Sequence, residues 1–197
     1  MKNVLAIVGT YRKGGVTDQV TDAVLEGAAA HGATTDKVYL IDRSISYCTN
    51  CRACTQPLGD DRGFCPLEDD MAELLDRIDA ADALVFASPT NFYNVTALFR
   101  TFMERTVGYA LWPWETPTPK YRKKKKSKKA VVITASAAPG FIGRVAFGSI
   151  RTLKITATVF GAKTVGSLFV GLAAQKSDSS PSEGVLKKAR RLGGKLV

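Results

Sequence analysis

The hydrophobic positions of this chain fall into short unbroken runs rather than alternating ones. Val4-Leu5-Ala6-Ile7-Val8, Ala83-Leu84-Val85-Phe86-Ala87 and Ala130-Val131-Val132-Ile133-Thr134-Ala135 are each bounded by turn-forming or polar residues. Strands buried on both faces read this way, because helices cover both sides of a parallel sheet. Thr35 to Ile41 and Thr164 to Val170 supply a second and a fifth strand. Between the strands the period becomes helical. Val20, Val24 and Ala28 mark a helix from about Thr17 to His31, with Gly32 as its stop. Met71, Leu74, Leu75 and Ile78 form the apolar face of a helix over Glu68–Ala81, and its acidic first turn suits the helix dipole. Further helices are predicted from Val95 to about Thr106, from the loop after the fourth strand to about Phe160, and over Pro181–Lys195.

Five strands alternating with helices predict an α/β architecture, a doubly wound parallel sheet covered on both faces. Five strands favour the flavodoxin-like order 2-1-3-4-5 over the six-stranded dinucleotide order. The expectation is a single domain over 1–197, with an irregular cysteine-bearing loop at 44–66 and a long basic excursion at 108–129.

In such sheets the ligand lies beyond the carboxyl ends of the strands, near the switch point in strand order. The loops there are Thr10–Thr17, Pro89–Asn94 and Ser136–Phe141. The first, read from Gly9, is G-T-Y-R-K-G-G-V-T. It combines exposed backbone N–H groups, hydroxyls and a following helix N-terminus, which together suit a phosphate. A nucleoside triphosphate loop needs Lys then Ser or Thr after its last Gly, whereas Val16 and Thr17 follow Gly15. The spacing of Gly9, Gly14 and Gly15 does not give the dinucleotide pattern G-x-G-x-x-G either.

Charge and cysteine content refine this picture. The chain has 197 residues and a formal net charge of +10. Eight basic residues crowd into one run: Lys120, Arg122, Lys123, Lys124, Lys125, Lys126, Lys128 and Lys129. Setting those eight aside leaves +2, so the excess is local, which speaks against a nucleic-acid surface. Trp112 and Trp114 lie just before the run and suit a lid or a dimer contact. No apolar stretch approaches the roughly 20 residues that span a bilayer. The N-terminal apolar run is too short for a signal peptide, so a cytoplasmic location is expected.

All four cysteines fall between Cys48 and Cys65. In a reducing compartment such a group reads as metal-binding or redox-active. Cys48, Cys51 and Cys54 form C-x2-C-x2-C, and ten residues separate Cys54 from Cys65. Four thiolates in this pattern suit the corners of a 4Fe–4S cluster. Zinc is the competing metal, although it usually takes two C-x2-C pairs. Free thiols are the third reading.

Gly9–Thr17 resembles the phosphate loop of the flavodoxin-like NADPH-dependent FMN reductases, G-S-x-R-x-G-G-N-T. Thr10 stands for Ser and keeps the hydroxyl; Val16 stands for Asn and loses a side-chain donor. The resemblance extends to Asp69-Asp70-Met71, to Ser88–Tyr93 against S-P-x-Y-x-x, to Phe99–Arg105 against L-K-x-F-x-D-R, and to Gly161–Gly166. The cysteine run is similar to that of the iron–sulfur flavoprotein branch, whose last gap is shorter.

The resemblance implies FMN as cofactor. Thr10, Arg12, Gly15, Val16 and Thr17 would hold its phosphate. Pro89, Thr90, Asn91, Phe92, Tyr93, Asn94 and Val95 would follow the ring edge, and Ser136, Ala137 and Gly140 would close the other side. Cys48, Cys51, Cys54 and Cys65 would be cluster ligands. The implied activity passes electrons from NAD(P)H through flavin to a quinone, free flavin or protein acceptor, with no side-chain nucleophile or general base. A homodimer or homotetramer follows from the same resemblance. A flavodoxin-like electron carrier and a non-enzymatic binding module are the alternatives, and the excess of Lys argues against the carrier.

Overall fold

A computed structural model describes residues 1–123, 125–176 and 178–197, so Lys124 of the basic run lies outside the described residues. In chain order the elements are β1 Asn3–Val8, α1 Val16–Ala29, β2 Thr34–Tyr39, α2 Met71–Ala80, β3 Ala83–Ala87, β4 Thr90–Asn91, β5 Asn94–Val95, α3 Ala97–Glu104, β6 Ala110–Leu111, β7 Lys120–Tyr121, β8 Lys128–Ala135, α4 Gly140–Ala146, α5 Ser149–Val159, β9 Ala162–Val170 and α6 Glu183–Gly194. Five of the strands form one parallel sheet in the order β2-β1-β3-β8-β9. With β8 and β9 as the fourth and fifth sheet strands, this is the 2-1-3-4-5 order.

Alternation along the strands divides the interior into two cores. Val4, Ala6 and Val8 point toward α1 and α6, while Leu5 and Ile7 point toward α2, α3 and α5. Both faces of β1 and β3 are therefore apolar, which is why these strands read as continuous runs. The α1–α6 packing is unusually close. A Cβ at Gly27 would lie 2.0 Å from the Arg190 carbonyl, and one at Gly193 would lie 2.0 Å from that of Val24. Two glycines inside helices are unfavourable locally, but here they permit backbone contact.

The structure departs from the sequence pattern in four places. The helix expected from Glu68 begins at Met71. The Asp69 and Asp70 carboxylates accept instead from the backbone N–H groups of Ser46 and Ser44. The helix expected to continue to about Thr106 ends at Glu104 and tightens to a 3₁₀ turn over Arg105–Tyr109. The single helix expected up to Phe160 is two, broken at Phe147-Gly148, where Gly148 N–H donates to the Tyr93 carbonyl. The fourth sheet strand starts at Lys128, inside the basic run. No helix among the described residues is long and apolar enough to cross a membrane.

Candidate functional site

The carboxyl ends of β1, β3, β8 and β9 surround a cavity of about 350 Å³. Its walls are Thr10, Tyr11, Arg12, Gly15, Val16 and Thr17 from the first loop, Pro89, Thr90 and Asn91 from the second, and Ala135, Ser136 and Ala137 from the third. Ala173, Ala174 and Ser179, after β9, complete it. No carboxylate is among the described lining residues. Three loops distant in sequence thus converge on one cavity, of a size usual for small-molecule sites.

The first loop is shaped from within. Thr10 Oγ1 accepts from Arg12 N–H at 3.2 Å, and Gly14, at φ +75°, donates its N–H to Asp18 Oδ2 at 2.7 Å. Asp18, in the first turn of α1, also receives Lys37 Nζ at 2.8 Å and the Tyr39 hydroxyl. Burial works to raise the Asp18 carboxyl, yet the bonds from Lys37, Gly14 and Tyr39 outweigh it and hold the group below its usual range. The Asp18 charge is thereby committed behind the loop. Gly15 occupies the N-cap of α1 and offers no side-chain cap to the helix's first N–H groups. That helix end, with the Thr17 side chain beside it, opens on the cavity.

The loops are tied to one another by Thr96. Its hydroxyl donates to the Gly9 carbonyl at 2.6 Å and accepts the Phe99 N–H, capping α3. Its own N–H donates to Ser88 Oγ at 3.0 Å. On the far side Ala173 N–H donates to the Ser136 carbonyl at 2.8 Å, joining the third loop to the segment after β9. Neither Thr96 nor Ala173 stood out in the sequence: the first reads as an ordinary helix cap, the second as a small residue in a tail.

Five of the residues expected along the flavin do not line this cavity. Phe92 and Tyr93 form the tip of the β4–β5 hairpin, at φ +45° and +63°, two positive values that suit a type I′ turn. Phe92 is fully exposed, and Tyr93 packs edge-on against Phe147 at 5.3 Å. Asn94 accepts from Thr152 Oγ1 and braces α5. Val95 is buried in the core. Gly140 lies against the backbone of Gly171, where the third loop meets the end of β9.

A second cavity, of about 280 Å³, is lined by all four cysteines with Arg52, Arg105 and Trp112. The thiols are free. Among the described residues no group of three or more His, Cys, Asp or Glu side chains is placed to hold a metal ion. The Ala53 N–H and the Thr49 hydroxyl lower the Cys51 thiol, whereas burial and the other three cysteines raise that of Cys54.

This loop is held by charge rather than by regular structure. Asp69 and Arg105 form a buried pair, with Nη1 to Oδ2 at 2.5 Å and Nη2 to Oδ1 at 3.2 Å. Arg105 Nη1 also donates to the Ser46 carbonyl, and its Nη2 lies 3.5 Å from Cys65 Sγ. The 108–129 excursion covers the same loop. Trp112 and Trp114 sandwich the Arg52 guanidinium at 3.9 and 4.0 Å. Arg122, only 3% exposed, donates to the carbonyls of Pro57, Gly59, Cys54 and Gly108. Lys128 donates to the carbonyls of Ile78, Asp79 and Ala81, at the end of α2. Two members of the basic run are thus internal fasteners. The tryptophans clamp an arginine of the cysteine loop and do not line the cavity of the glycine-rich loop.

A larger and more open groove, about 620 Å³, follows α4 and α5 and includes Arg144, Arg151 and Lys154. It shares no lining residue with either cavity above.

The family model for NADPH-dependent FMN reductases matches residues 2–176. The chain is 35% identical over 105 residues to an iron-sulfur flavoprotein of Archaeoglobus fulgidus, covering 53% of this chain and 46% of that protein. It is 32% identical over 104 residues to the iron-sulfur flavoprotein of Methanosarcina thermophila, covering 53% of this chain and 52% of that protein. The chain spans about half the length of the curated relatives it matches. Among solved structures, the NAD(P)H:quinone oxidoreductase from Methanothermobacter marburgensis superposes with TM-score 0.71 at 22% identity, covering 99% of this chain and 96% of that one. An azoreductase from Bacillus anthracis superposes with TM-score 0.69 at 17% identity, covering 99% and 100%. At such identities the structural likeness concerns the fold alone.

The buried Asp18 makes a pH-dependent contribution. Its folded carboxyl is held below the unfolded value of about 3.9, so its contribution is present above that value and lost as pH falls through the folded one. Asp18→Asn is expected to lower the urea midpoint at pH 7, with the gap to the parent closing as the medium is acidified below pH ~4. A gap that stays constant down to pH ~3 would contradict this account of Asp18.

Proposed function

The chain belongs to the NADPH-dependent FMN reductase family, and from that premise we propose that it binds FMN in the cavity at the carboxyl ends of the strands and acts as an FMN-dependent oxidoreductase. In this reading residues 1–197 form one FMN-binding domain. NAD(P)H is the electron donor, and a quinone, free flavin or protein is the acceptor. Bound FMN supplies the hydride and electron chemistry, so the protein's part is to hold and orient it.

The observation that carries this reading is a single acid-free cavity shared by the glycine-rich loop, Pro89–Asn91 and Ser136-Ala137, with the uncapped start of α1 at one end. The residues fit a mononucleotide. The Thr10 and Thr17 hydroxyls and the backbone N–H groups at the start of α1 would hold the phosphate. Arg12 adds positive charge on the same wall. Val16 brings no side-chain donor, but its backbone remains within the loop. Thr90 is fixed for its wall position by hydroxyl contacts to Thr134 at 3.1 Å and Ser149 at 2.8 Å. Ala137, Ala173 and Ala174 present small side chains where a flat ring needs access.

The cysteine cavity fits a 4Fe–4S cluster better than one ion. A single zinc draws four sulfurs to one point, whereas a cubane keeps them at separate corners. Here four thiols share one cavity without converging on a point. The same cavity carries two guanidinium groups whose Nε atoms are buried without a partner, Arg52 and Arg105. A cluster bound by four thiolates would bring acceptor sulfurs for both donors and negative charge for Arg52, since Arg105 is already paired with Asp69. Such a cluster would supply one-electron storage in addition to the flavin. Four free thiols also accord with a reducing, cytoplasmic setting. Exposed Phe92, Phe141 and Val145 form apolar surface that a homodimer or homotetramer would cover.

Two results test this reading. Thr17→Val should weaken FMN binding by roughly 1.5–3 kcal/mol, the value of one charge-assisted hydrogen bond, as read by flavin fluorescence titration. Unchanged affinity would remove the phosphate from this loop. The parent protein with FMN should also oxidise NADPH steadily with a quinone or free flavin, and failure to turn over would favour the carrier reading.

A further inference from the structure

We propose that Arg52 and Arg105 tune the reduction potential of the group the cysteines hold, Arg52 through its charge and Arg105 through its N–H donors. The inference rests on the cluster reading above.

Among the described residues, two buried side-chain nitrogens or oxygens have no hydrogen-bond partner, and they are Nε of Arg52 and Nε of Arg105. Both residues line the cysteine cavity. An orphaned buried donor is costly, and native structures tolerate few of them. Two of them on residues that line one cavity point to a missing acceptor there.

The two differ in net charge. Arg105 is 4% exposed and neutralised by Asp69, so what it offers is a donor edge, with Nη2 already 3.5 Å from Cys65 Sγ. Arg52 has no carboxylate partner among the described residues. Indole rings cover both its faces at 3.9 and 4.0 Å, and its Nη2 donates to the Trp112 carbonyl at 2.7 Å. Stacking between aromatic faces favours the planar guanidinium and keeps its charge fixed. Asn50 and Arg52 take positive φ, 55° and 59°, so the backbone turns sharply on both sides of Cys51 where the Arg52 side chain leaves for the two indoles.

The chemical consequence follows from charge. Were the four cysteines to hold a cluster, its reduction by one electron from the donor of the proposed activity would add one negative charge at the cavity that Arg52 lines. A fixed cation lowers the energy of that reduced form more than the oxidised one, which raises the potential. N–H donors to sulfur act in the same direction.

The test uses the full chain, purified anaerobically, with iron and sulfide measured first and the midpoint then found by EPR-monitored redox titration. Arg52→Gln should keep its iron and shift the midpoint to more negative potential. Arg52→Lys should recover most of that shift. Arg105→Lys, which can still pair with Asp69, should give a smaller negative shift. An Arg52→Gln variant with full iron and the parent midpoint would overturn the proposal, as would loss of iron with no shift in the remainder. Iron-free parent protein would instead overturn the cluster reading on which the proposal stands.

Discussion

The buried pair between Asp69 and Arg105 is the interaction on which the arrangement of this surface depends. Asp69 precedes α2 and accepts the N–H groups of Ser46 and Met71, while Arg105 begins the 3₁₀ turn after α3 and reaches the Ser46 carbonyl and Cys65. One ion pair thereby fastens two helix ends and a long irregular loop together. Losing either partner would leave an uncompensated buried charge, which costs about 3–5 kcal/mol. The geometry also explains why both helices are shorter than their apolar periodicity suggests. The residues that would extend them are committed to the loop.

The charge balance reads differently once these contacts are seen. A run of lysines and arginines suggests a solvated or anion-binding surface. Yet Arg122 and Lys128 spend their donors on backbone carbonyls of the cysteine loop and of α2. A loop with little regular structure has many carbonyls to satisfy, and a buried guanidinium or ammonium can serve several of them at once. Arg62 adds a further tie, pairing with Asp76 at 2.6 Å and Asp79 at 2.8 Å on α2. The excursion between α3 and β8 is therefore fastened to the cysteine loop, and its Trp112 lines the cysteine cavity. That cavity and the one at the carboxyl ends of the strands are set up by separate means, cationic side chains at the first and hydroxyl contacts between loops at the second.

Much of this was legible in the amino-acid sequence because the central strands are apolar on both faces. Ala83–Ala87 was delimited to the residue, and the strand order followed from counting elements. The convergence of the loops after the first, third and fourth sheet strands was also legible, since the fold places ligand loops there. What escaped were contacts that no local pattern encodes. The break at Phe147-Gly148 answers to a carbonyl on Tyr93, more than fifty residues away. The inward turn of Arg122 depends on where Pro57 and Gly59 lie. The tight tip at Phe92-Tyr93 lacks the Asn or Gly that usually announces such a turn. Ala173, Ala174 and Ser179 offer only small or hydroxyl side chains, which mark a wall solely once the fold is known.

The central claim is that FMN sits where these loops meet, with its phosphate at the start of α1. A crystal structure of the protein reconstituted with FMN tests it most directly. The account predicts phosphate density against the backbone of residues 12–17 and the Thr17 hydroxyl, with the ring between Pro89–Asn91 and Ser136-Ala137. Flavin bound instead in the groove along α4 and α5, with the glycine-rich loop unchanged and unliganded, would contradict it.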